Sequence, residues 1–155
     1  MLPIKIDMQK IILLFGICCS FQVQGQPKWK DCSDRTGVVT MFTIKECPRE
    51  PCVLVAGHKI TGRMEFVSTR IHKNVVIWMS VPIMFGLRKW IKLPYPFSDG
   101  CKYATPHCPI QGGLKYTVEI QAIIPHVKYN GSAQFSLYDS KDHKIACVDL
   151  RLIIQ

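Results

Sequence analysis

The 155-residue chain lacks the features that would let it cross a membrane or perform chemistry. Its one strongly apolar run, Ile11 to Cys19, is shorter than the roughly 20 apolar residues a spanning helix needs. No stretch sustains a helical period of apolar residues, which argues against a helical fold. His58, His72, His107, His126 and His143 stand apart, mostly beside turns. They form no His-Glu-x-x-His pair, so they read as surface histidines and no metal site is expected. There is no Gly-x-Ser-x-Gly elbow, and Asp139 and Asp142 flank a turn as solvated acids, not as a catalytic pair. Neither catalysis nor a cofactor is expected. With no Arg-rich tract and no dense basic stripe, nucleic acid is not an expected partner either.

What is present begins with a targeting pattern. Lys5 and Lys10 precede the apolar run, and small or polar residues then lead to Val23-Gln24-Gly25. A positive flank, a short apolar core and small residues near a cut describe a signal peptide over residues 1–25. A membrane anchor is the competing reading, and the run is too short for it. Met8 offers an alternative start. Residues 26–155 then form a soluble, monomeric domain outside the cell or in the lysosomal lumen. They hold eighteen basic and ten acidic residues, a net charge of +8. That excess favours anionic partners such as acidic lipids or phosphorylated glycolipids; a basic solvated surface is the plainer alternative.

Cys18 and Cys19 leave with the signal, and six cysteines remain: Cys32, Cys47, Cys52, Cys101, Cys108 and Cys147. An even number in a secreted chain implies disulfides, with fifteen pairings open. Zinc would want Cys-x-x-Cys knuckles, which are missing.

Period-two alternation marks strands with one buried face. From Leu114 to Ala122, Leu114, Tyr116, Val118, Ile120 and Ala122 face one way. Ile60, Met64 and Phe66, then Ala133, Phe135 and Leu137, then Ala146, Val148, Leu150 and Leu152 repeat the pattern. Val75 to Met79 is apolar on both faces, as a central strand would be. Val38 to Ile44 and Val53 to Val55 are further candidates. Turn signals stand at Ala56-Gly57-His58, Ser98-Asp99-Gly100, Gln111-Gly112-Gly113 and Asn130-Gly131. About seven short strands without a repeat or linker predict one all-β domain, an immunoglobulin-like sandwich of two antiparallel sheets. The chain is also unusually apolar for a disulfide-rich protein. Its large side chains either fill a solid core or line a cavity between the sheets.

Cys47-Pro48-Arg49-Glu50-Pro51-Cys52 resembles the Cys-Pro-x-x-Pro-Cys hairpin of the Niemann-Pick type C two-like proteins, lipid-recognition (ML) domains related to the group-two mite allergens. Asp31-Cys32, Asp99-Gly100-Cys101, Cys108-Pro109-Ile110 and Cys147 fall in the family's order, so the resemblance spans residues 31–154. It implies a sandwich whose sheets part around a sterol or other small lipid. It also implies the pairs Cys32–Cys147, Cys47–Cys52 and Cys101–Cys108. Phe66 matches the family's pocket phenylalanine, and Val118 and Ile120 lie on its pocket-lining strand. Met64, Ile77, Tyr95 and Phe97 complete the expected lipid-binding set, with Trp90 near where the family's pocket opens. The implied function is lipid carriage, with recognition of bacterial glycolipid as the alternative.

Two departures from the family stand out. After Val81-Pro82 the chain runs on from Ile83 to Lys92 before Leu93-Pro94-Tyr95-Pro96-Phe97, and Pro125-His126-Val127 replaces a Tyr-Pro pair. The longer segment carries Arg88, Lys89, Trp90 and Lys92. It is expected either to touch anionic membranes transiently or to form an edge strand whose lysines prevent edge-to-edge pairing. Asn130-Gly131-Ser132 is a glycosylation sequon, or simply a hairpin turn.

Overall fold

The computed structural model describes residues 28–155; the signal-peptide run and its cleavage site lie outside the described residues. No helix among them is long and apolar enough to cross a membrane. Among the described residues ten strands form two sheets, more than the seven expected, because several pairings involve only two or three residues. One sheet holds β1 (Trp29–Asp31), β10 (Lys144–Ile154), β9 (Tyr129–Tyr138), β5 (Val76–Pro82) and β6 (Arg88–Lys92), in that order. β3 (Cys52–Leu54) continues the β1 edge along β10 as the sheet's one parallel pairing. The other sheet runs β2 (Gly37–Ile44), β4 (Lys59–Ser68), β8 (Lys115–Ile123) and β7 (Ala104–Thr105).

Alternation decides which side chains the sheets share. Along β10, Ala146, Val148, Leu150, Leu152 and Ile154 are all buried, and across the sandwich they meet Val39, Phe42 and Ile44 of β2 within one core. Each large aliphatic side chain so buried contributes about 1.5–3 kcal/mol. Leu114 falls just outside β8 and is exposed, so the alternation begins only at Tyr116. Asn130-Gly131 is no turn: both residues lie inside β9, paired with Ile153 and Leu152.

The recurrent short motifs have local physical reasons. The Asp31 carboxylate accepts from the Ser33 and Val39 amides, at 2.7 and 2.9 Å, and so ties β1 to β2. Asp99 accepts from the Cys101 amide and caps a 3-10 turn, Gly100–Tyr103. A Cβ on Gly100 would lie 2.5 Å from the Val75 side chain, so that turn needs glycine. Tyr116 Oη accepts from the Gln111 amide and donates to the Pro109 carbonyl, anchoring the Cys-Pro-Ile segment. The three disulfides pair as the family resemblance implies: Cys32–Cys147, Cys47–Cys52 and Cys101–Cys108.

Candidate functional site

A cavity of about 60 Å³ lies between the sheets. Phe42 and Ile44 of β2, Ile60 and Met64 of β4, and Val118, Ile120 and Ala122 of β8 form one wall. Ile77 of β5 and Phe135 and Leu137 of β9 form the other. Phe42 and Phe135 meet across the interior with ring centroids 6.0 Å apart. Ile60, Ile120, Ala122 and Phe135 are only half-buried, so the cavity opens where β4 begins and β8 ends. The wall is almost wholly apolar, and such a lining holds a ligand by removing hydrocarbon from water.

The cavity is far smaller than the roughly 300–1,000 Å³ of a small-molecule site, so a lipid must widen it. The fold shows which side can give. Toward β2, the sandwich is held by β10, by β1 and by Cys32–Cys147. On the opposite side the edges β6 and β7 are joined by the loop Leu93 to Tyr103.

Four of the predicted lining residues, Met64, Ile77, Val118 and Ile120, come together in the cavity wall. Phe66 does not. It pairs with Tyr116, one inward position deeper than the Met64–Val118 pair, and is fully buried against that ring at 6.1 Å. Trp90 lies on the opposite face of its sheet. β6 alternation puts Ile91, in register with Met79, on the inner face, whereas Trp90 is in register with Ser80 and meets Tyr138 edge-on at 5.9 Å. Tyr95 is exposed in the turn after Pro94, and Phe97 stacks on Tyr103 beside the β8 edge. Phe42, Ile44, Ile60, Ala122, Phe135 and Leu137 were the apolar wall residues left unnamed, beside Gly62, Arg63 and Ser136, although strand alternation had already turned most of the apolar ones inward.

Residues 26–154 match the family model described as the ML domain. The chain belongs to the ML domain family. It is 26% identical to the bovine (Bos taurus) NPC intracellular cholesterol transporter 2 over 83% of this chain and 85% of that protein. It is 32% identical to the mite group 2 allergen Gly d 2.02 of Glycyphagus domesticus, over 71% of this chain and 86% of the allergen. Among solved structures, a Niemann-Pick type C2 protein from the Japanese carpenter ant matches with a TM-score of 0.71 at 19% identity, covering 83% of this chain and 99% of that one. Chicken MD-1 complexed with lipid IVa matches with a TM-score of 0.53 at 16% identity, over 79% of this chain and 85% of that one. The ML domain is a lipid-binding fold, and the inter-sheet cavity is where this chain offers apolar walls.

One polar array in this ML domain was not foreseen. His72 is buried, not at the surface: its Nε2 lies 3.0 Å from Ser68 Oγ and its Nδ1 3.1 Å from Asp139 Oδ2. Asp139 is likewise largely covered, and it accepts from the Lys141 and His143 amides and lies 3.0 Å from His143 Nδ1. A carboxylate only accepts, so His72 Nδ1 carries a proton toward Asp139, while Nε2 is hydrogen-bonded to the Ser68 hydroxyl. Burial pushes the Asp139 carboxyl up, but the hydrogen bonds from His143, His72 and Lys141 outweigh it and hold the group well below the usual carboxylate range. The separation of these residues in sequence hid the array. On the outer face of the β4 sheet, Glu65 is paired with Lys115 and Arg63, whose hydrogen bonds lower its carboxyl pKa.

Proposed function

We propose that this ML domain is a secreted carrier that takes up a sterol between its sheets and passes it from one membrane to another. The observation that carries the reading is the apolar cavity with walls from both sheets and a half-exposed rim. The bovine relative's name as a cholesterol transporter supports it. Transient contact with anionic membranes belongs to the same reading, through exposed Lys89 and Lys92 on the edge strand. The protein acts as a monomer, outside the cell or in the lysosomal lumen, with a glycan on exposed Asn130. The reading assigns no catalytic role to Ser68, His72 and Asp139, because Ser68 is fully buried.

Mass spectrometry of lipid extracted from the secreted protein identifies the cargo, and titration with a fluorescent sterol measures its uptake. Ala122→Trp, which pushes an indole into the mouth, should abolish uptake while the fold survives. Sterol uptake unaffected by this block, or a purified protein that neither holds nor binds lipid, overturns the reading. The second reading, recognition of a phosphorylated bacterial glycolipid, is favoured by Lys89 and Lys92, since phosphates seek cations. It predicts that lipid A outcompetes sterol.

A further inference from the structure

The β5–β6 hairpin turns through Ile83-Met84-Phe85-Gly86-Leu87, five residues without a polar side chain. None is buried: Ile83 is 51% exposed, Met84 73%, Phe85 93% and Leu87 62%. Single exposed apolar residues are ordinary, but four large ones at one tip form a patch of the kind that marks an interaction surface. The backbone favours this display over packing. Phe85 sits at φ 59° and ψ 33°, and Gly86 at φ 76°, so two successive residues adopt the left-handed conformation. For phenylalanine that conformation is unfavourable, and the fold retains it while leaving the ring in water.

Charge specifies what the tip fits. No acidic residue occurs between Glu65 and Asp99, whereas Arg88, Lys89 and Lys92 follow the tip directly. Arg88 is partly committed, donating to the Ser80 hydroxyl and carbonyl at 3.0 and 3.1 Å. Lys89 and Lys92 are exposed. An apolar tip backed by cations matches the boundary between acyl chains and anionic headgroups.

Position links the tip to the cavity. β5 runs antiparallel to β9, and β9 antiparallel to β10, so the hairpin tip and the end of β10 lie at one end of the sandwich. There the Ala56 amide donates to the Gln155 carbonyl, and the Gly57 amide to Ile124. These bonds join the end of β10 to the start of β4 and the end of β8, where Ile60, Ile120 and Ala122 form the cavity rim. The hairpin leaves its sheet after Ser80, the last β5 residue paired with β9.

We propose that the tip Ile83–Leu87 enters an anionic lipid surface, with Phe85 and Met84 in the acyl boundary and Lys89 and Lys92 against phosphates. The cavity rim is thereby brought to face the membrane. The proposal rests on the carrier reading for its purpose, but not for its test.

The test is co-sedimentation of the full secreted protein with phosphatidylcholine vesicles, with and without about one-third phosphatidylserine. Wild type is compared with Met84→Ser/Phe85→Asn, in which Asn tolerates the left-handed turn, and with Lys89→Gln/Lys92→Gln. The apolar double variant should lose at least tenfold in partitioning onto anionic vesicles while taking up fluorescent sterol normally in vesicle-free solution. At about 1 kcal/mol per cation, the lysine variant should lose roughly fivefold per lysine, and only at low salt. Undiminished partitioning of Met84→Ser/Phe85→Asn overturns the proposal. So does a wild-type dimer that this variant dissolves, which would make the tip a self-association surface. Wild type that partitions through the tip yet takes up no sterol in solution retains the membrane proposal and defeats the carrier reading.

Discussion

Asp139 concentrates more hydrogen bonds on one side chain than any residue of the cavity receives, and its effect should be visible in the acid limb of stability. Its folded pKa is depressed, so the stabilisation is complete above the unfolded carboxylate value of about 3.9 and is lost as pH falls from there toward the folded value. Asp139→Asn should cost about 1–3 kcal/mol at pH 7, because buried His72 loses its charged acceptor. The gap between variant and wild type should close as pH falls below about 4, as read from urea midpoints between pH 7 and pH 3. A gap independent of pH would show that the ionised carboxylate is not what matters. A second pair of substitutions separates core from cavity. Phe66→Ala should cost about 3–5 kcal/mol of stability, since the ring is fully buried against Tyr116. Ile120→Ala, on the half-exposed rim, should cost much less stability and weaken sterol binding more. Family likeness pointed to Phe66, yet register decides depth, and one pair of residues separates the wall from the sealed core. Alternation in the sequence tells which face a residue joins but not how far along the sandwich the sheets close, so Phe66 and Val118 looked alike until the pairing was known.

At the scale of elements, the strands with strict alternation were legible and those defined by their partners were not. β8, β10 and the second half of β9 follow the apolar period closely, whereas the start of β9, Tyr129 to Ser132, does not. β1 and β7 are two or three residues long and exist because a neighbouring edge offers hydrogen bonds, a property absent from local sequence, whereas the equally short β3 was marked by the apolar run Val53 to Val55. β6 was half legible: its lysines fit an edge strand, and Arg88–Lys92 indeed forms the free edge beside β5. The position of Trp90 was not legible, because a five-residue strand with apolar residues on both faces gives no clear phase. Among the cross-links, sequence separation sets the expected ranking. Cys32–Cys147 closes 115 residues and joins the segment after β1 to β10, whereas the other two pairs are separated by 5 and 7. The loop-entropy relation gives about 5 kcal/mol for the first and about 2 kcal/mol for each local bridge. Paired Cys→Ser variants measured by urea unfolding should follow that order. Equal losses from all three would mean that native packing around each bridge, not chain restriction, dominates.

At the scale of the molecule, a cavity of about 60 Å³ and a lipid several times larger can be reconciled only by opening, so the two sides of the sandwich must respond unequally. The β10 side is closed three ways: β10 has partners along both edges, its inner face packs in one core with Val39, Phe42 and Ile44, and Cys32–Cys147 fixes its start. The β6 side has a free edge, a two-residue β7 and a loop spanning the sheets. Opening should therefore pivot about β10 and part β6 from β8. Closely packed interiors cannot stretch evenly, which favours a hinge over uniform swelling. Uptake that waits on such opening should be slower than the usual 10⁵–10⁷ M⁻¹s⁻¹. Hydrogen exchange with and without bound sterol tests the pivot directly. Amides of β6, β7 and the 93–103 loop should open readily without sterol and become protected when it binds, because the ligand replaces missing contacts on that side. Amides of β10 should stay protected throughout. If β10 and β2 gain as much protection as β6, the sandwich opens on both sides, and Cys32–Cys147 is not the pivot.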